Sequence, residues 1–117
     1  MSAVSQRVRK MNEVKEPRML KFERPNESIS GHLYAIQPVT VNDKPTIQYD
    51  LLDEAGEHVT FLQTYDLSRK LRKEHIGHFV EICYLGEDRS VKTEGNALRR
   101  FRVMVSELRE IDPELGF

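Results

Sequence analysis

Tryptophan is absent and cysteine occurs once, as Cys83, so no internal disulfide can brace this chain. No stretch approaches the roughly 20 consecutive apolar residues that a membrane-spanning helix requires, and the first residues lack the apolar run of a signal peptide. The expectation is a soluble, cytoplasmic protein with no membrane partner. Neither sign of charge dominates: 18 lysines and arginines stand against 19 aspartates and glutamates, which removes any bulk attraction to a polyanion. Also missing are a glycine-rich phosphate loop between a strand and a helix, a zinc-type spacing of cysteine and histidine, and a nucleophile with an evident base. His75 and His78 are three apart, but Gly77 between them interrupts a helix, and Cys83 falls in an apolar run. No catalytic residue, metal site or cofactor is expected, and the chain reads as a binding protein and not as an enzyme.

A length of 117 residues suits one modest domain with tails. The charge is segregated along it. Residues 1–16 are polar, without a sustained period and rich in Arg7, Arg9, Lys10 and Lys15, which reads as a flexible basic tail. Residues 17–108 carry the periodic segments, acidic from Glu27 to Glu57 and basic again at Arg69, Lys70, Arg72 and Lys73 and from Arg89 to Arg102. Residues 109–117 form an acidic tail that ends in Phe117.

Within the central segment, Ser28 to Val41 alternates around Ile29, Leu33 and Ala35, and Gly31 marks a bend. VNDKP at 41–45 has turn composition. Ile47, Tyr49 and Leu51 define a second strand, DEAGE at 53–57 a hairpin turn, and HVTFLQTY a third strand. DLSRKLRKEHIG abandons the two-residue period: Asp66 is placed to cap a short helix, Leu67 and Leu71 share a face, and Gly77 suits the position past its end. HFVEICYLG is a buried strand, EDRSVKTEGN at 87–96 a long polar loop, and ALRRFRVMVSEL the last strand. In that last strand Phe101, Val103 and Val105 face the core, and Arg100 and Arg102 face outward.

Three strands, a short helix and two strands, with a glycine-bent first strand, resemble the OB-fold, a five-stranded Greek-key barrel of β-β-β-α-β-β order. SISGHLY, GHFVEICYLG and FRVMV are similar to segments of small phage and bacterial single-stranded-DNA-binding proteins, and the likeness spans residues 18–108. It implies non-catalytic binding of single-stranded DNA with little sequence preference, in the replication or recombination of a bacterial cell or a phage-infected host. REIDPELGF resembles the acidic, phenylalanine-terminated tails through which such proteins recruit replication or repair enzymes. That assigns a partner-binding role to Asp112, Glu114 and Phe117.

Such barrels hold a strand by pairing a basic groove with aromatic stacking platforms, flanked by the loops between strands one and two and between four and five. The residues offered for that work are Tyr34 and Tyr65 for stacking, and Lys44, Arg89, Lys92, Arg99, Arg100 and Arg102 for phosphates. The helical cluster from Arg69 to Lys73 reads as a solvated face. These residues do not separate DNA from RNA, and exposed edge strands leave room for a homo-oligomer. The competing reading is an OB-fold protein-protein interaction module or assembly subunit without nucleic-acid binding.

Overall fold

The computed structural model describes residues 16–93 and 96–110. Its strands are β1 (Arg18–Met19), β2 (Ser28–Val41), β3 (Lys44–Asp53), β4 (His58–Leu62), β5 (Phe79–Thr93) and β6 (Asn96–Val105). Between β4 and β5 lie α1 (Tyr65–Lys70) and a 3-10 turn at Lys73–His75. The fold is mostly β with one short helix, in the expected order of three long strands, helix and two long strands. The sheet runs β1-β4-β3-β2-β5-β6. Its β5-β2-β3-β4 portion has the Greek-key arrangement, in which the fourth strand returns to lie beside the first. No described helix is long and apolar enough to cross a membrane.

The expected barrel does not close. The outer edge of β4 is taken by β1, which pairs with it in parallel through Arg18 with Val59 and Met19 with Thr60. Behind β1 the chain inserts Phe22, 5% exposed, against Phe61, Tyr84 and Phe101 at centroid distances of 5.9, 6.3 and 5.2 Å. An aromatic plug therefore occupies the side where β4 and β6 would otherwise meet. It joins Leu33, Tyr49, Leu51, Phe61, Val80, Ile82 and Phe101 in one apolar core.

The bend of β2 arises differently from the sequence expectation. Gly31 permits close backbone approach, since a β-carbon there would lie 2.4 Å from the Leu52 carbonyl oxygen. The register itself shifts at Tyr34: Leu33 stands opposite Leu51, but Ala35 stands opposite Asp50. This bulge reverses the alternation, so Ile36 opposes core residue Tyr49 and Ala35 shares the outer side with Asp50. Ala35 therefore does not face the core as its spacing from Leu33 suggests.

Two further boundaries differ. The helix begins two residues earlier, capped by Thr64 instead of Asp66, with the Thr64 hydroxyl accepting the Leu67 N–H at 3.3 Å. Asp66, 4% exposed, turns instead toward β6 and accepts the Phe101 N–H at 2.8 Å and a Lys70 ammonium proton at 2.9 Å. The polar stretch 87–93 continues β5 instead of forming a loop. It pairs with β6 through Thr93 and Asn96, with irregularities near Leu85 and between Asp88 and Lys92.

Candidate functional site

The β2–β3 connection is a two-residue turn in which Asn42 and Asp43 both have positive φ, 51° and 64°, the backbone that short hairpins prefer because it follows the strand twist. It sets Lys44 in the open at the start of β3, followed by Pro45 and Thr46. The β5–β6 hairpin brings Asn96, Ala97, Leu98 and Arg99 across from them. Thr64 turns the chain out of β4 into α1 and leaves Tyr65 at the junction. These three elements enclose an open cleft of about 740 Å3 lined by Pro45, Thr46, Gln63, Tyr65, Ser68 and the first residues of β6.

Tyr65 is 52% exposed, and no other aromatic of the described chain is so free. The Arg69 guanidinium, one helical turn on, lies 5.7 Å from its ring centroid and holds the ring in a cation–π contact. Among the described residues no carboxylate lines the cleft, and Arg99 is its one charged lining residue. The cleft can therefore accept a planar ring against Tyr65 and an anion beside Arg99.

Arg99 also belongs to the core. Its guanidinium lies 4.7 Å from the Tyr84 ring centroid and donates to the Phe22 carbonyl oxygen. It separates the first cleft from an apolar one of about 510 Å3 lined chiefly by Met19, Leu20, Phe22, Val41, Phe61 and Leu62. One side chain thus anchors the aromatic plug and lines both clefts.

The other anticipated residues are dispersed. Tyr34, at the bulge of β2, shares a 2.8 Å hydrogen bond with His58 Nδ1 and packs edge-on against that ring. Burial, reinforced by the charge of Asp50, pushes its phenol pKa up. It lies on the outer side of β2–β4, where Asp50, 3% exposed, accepts hydrogen bonds from Gln37 at 2.5 Å and Gln48 at 2.8 Å. Strands β2 to β4 contain no arginine and one lysine, Lys44, so this face has little to offer a phosphate backbone.

Arg89 is exposed and lies 3.8 Å from Glu87. Arg100 is half-buried and pairs at 3.2 Å with Asp88, whose carboxyl is held below its ordinary value by hydrogen bonds from the Ser90 hydroxyl and N–H and from Arg100. Arg102 is exposed, 4.0 Å from Glu81. The Lys92 backbone pairs with Ala97. Asp112, Glu114 and Phe117 lie outside the described residues. The structure thus brings Tyr65 and Arg99 to one cleft, with Lys44 next in sequence to its lining residue Pro45, and places Tyr34, Arg100 and Arg102 elsewhere.

Phe22, the bond of Asp66 to β6 and the Arg69–Tyr65 contact escape a reading of sequence alone. The four-residue spacings Asp66–Lys70 and Tyr65–Arg69 were available as helix-face pairs, but their tertiary partners were not. Comparison of the chain with protein-family models, curated proteins and solved structures found no match.

Proposed function

We propose that the chain is an OB-fold protein, open at one side of its barrel, that binds single-stranded DNA without catalysis and with little sequence preference. Support for the fold comes from the Greek-key order of β5-β2-β3-β4 with β6 hairpinned onto β5, and from the helix between the third and fourth long strands. The observation that carries the function is the cleft between the β2–β3 and β5–β6 hairpins, the two loops that flank the binding face of this fold. It holds the most exposed aromatic side chain of the described residues and one cation, Arg99, with no carboxylate among its lining residues.

In this reading a base stacks on Tyr65, while Arg99 and Lys44 neutralise the adjoining phosphates and release counterions. The strand passes between the hairpin ends instead of over the outer face of β2–β4. Titrating fluorescent oligo-dT into the full chain tests it. Tyr65→Ala is expected to lose about 1–3 kcal/mol of affinity, the measured range for one stacked base. Lys44→Ala is expected to weaken binding and to reduce the salt slope by about one unit. Absence of binding at low salt removes the proposal, and full affinity in Tyr65→Ala removes the stacking role.

A further inference from the structure

The pairing of Val80 with Val105, Ile82 with Val103 and Tyr84 with Phe101, followed by the Ser106 N–H donating to the Phe79 carbonyl at 2.8 Å, determines which backbone groups of β6 face β5. In an antiparallel ladder alternate residues turn their N–H and C=O away from the partner. On β6 these are Phe101, Val103 and Val105. At Phe101 the open edge is covered, because its N–H donates to Asp66 and its carbonyl accepts from Lys70 at 2.6 Å. No described group does the same at Val103 or Val105.

These two residues border a groove of about 580 Å3 whose far wall is Arg69, Lys70, Arg72 and His75, with Arg102 and Leu85 beside them. Asp66 occupies Lys70. Among the described residues Arg72 meets only the exposed Glu74, at 3.3 Å, and Arg102 only Glu81, at 4.0 Å. Arg69 has no ion-pair partner among the described residues. Exposed pairs of this kind are weak and exchange readily for a better acceptor. Leu85, 49% exposed, adds an apolar contact.

We propose that this groove takes an extended acidic segment of another protein, added as a strand to the β6 edge. Its backbone pairs with Val103 and Val105, and its carboxylates face Arg69, Arg72 and Arg102. Charge complementarity selects this occupant. A second copy paired β6 to β6 would set arginines against arginines, which opposes association. A nucleic-acid strand would satisfy the arginines but has no alternating donors and acceptors for the open edge. The groove meets the cleft around Tyr65 through Arg69, whose guanidinium also lies 5.7 Å from the Tyr65 ring centroid, but the open β6 edge belongs to the groove alone, so either proposal can fail alone.

The test uses the full chain and two labelled peptides, one of alternating glutamate and valine and one of alternating lysine and valine. Expected are binding of the acidic peptide and not the basic one, slower amide hydrogen exchange at Val103 and Val105 on binding, and a loss of about tenfold or more in the Arg69→Glu, Arg102→Glu double variant, the scale of several charge pairs together. Val103→Pro, which deletes an N–H on the open edge and none in the β5 ladder, is expected to weaken binding as well. If that variant fails to fold, the exchange measurement on the native chain decides. No binding of the acidic peptide, or binding that leaves both amides unprotected, overturns the proposal. So does oligo-dT slowing those same two amides, which would give the groove to nucleic acid.

Discussion

Phe22 and Arg99 are 77 positions apart, and together they fill the side of the sheet that β4 and β6 leave unpaired. Phe22 supplies apolar area to three other rings, and Arg99 satisfies the carbonyl that this insertion buries. Phe22→Ala removes a buried ring and is expected to cost about 3–5 kcal/mol. Arg99→Ala loses a charge-assisted hydrogen bond and a cation–π contact and is expected to cost about 1–3 kcal/mol. Urea unfolding of both variants checks this, and native stability in Arg99→Ala would leave that arginine to the ligand alone. Neither role is written locally. MLKF at 19–22 reads as a short strand or a lead-in, and Arg99 as one of several basic residues in a strand, until the two meet in space.

At the level of elements, sequence periodicity was legible wherever a strand pairs regularly. Tyr49 and Leu51, then Val59 and Phe61, alternate into the core as their spacing suggests, and the Asn-Asp pair marks the first hairpin. Legibility failed where a strand is irregular or a side chain leaves its own element. The bulge at Tyr34 flips Ala35 and Ile36, and a bulge leaves no mark in an alternation read residue by residue. Asp66 has the composition of a cap, yet it serves β6, 35 positions away, and Thr64 caps the helix in its place. The polar run at 87–93 reads as a loop because it buries little, but pairing with β6 needs only backbone groups.

Gly31 permits the crowding where β2 pairs with both β3 and β5. A methyl group there meets the backbone of Leu52, not a movable side chain. Gly31→Ala is therefore expected to destabilise by about 1–3 kcal/mol, the usual cost of overpacking, read as a lower urea midpoint. A midpoint equal to that of the native chain would mean that β2 and β3 can separate there without cost.

For the whole molecule, a net charge of −1 hides a division of surfaces. The outer side of β2–β4 is occupied by amide–carboxylate and tyrosine–histidine contacts, while exposed cations gather around α1 and β6. This division favours Tyr65 over Tyr34 of the two stacking candidates: the tyrosine on the outer strand face is hydrogen-bonded to His58, whereas the one at the strand-to-helix junction is half exposed, with Arg69 beside its ring. The central claim is that single-stranded DNA enters the cleft between the two hairpins. Backbone amide chemical shifts of the isotopically labelled chain, followed through a titration with oligo-dT at low salt, test it most directly. The account predicts the largest changes at Thr46, Gln63, Tyr65, Ser68 and Ala97 to Arg99, all reversed by added salt. An unchanged spectrum, or changes centred on Tyr34, His58 and Asp50, would contradict it.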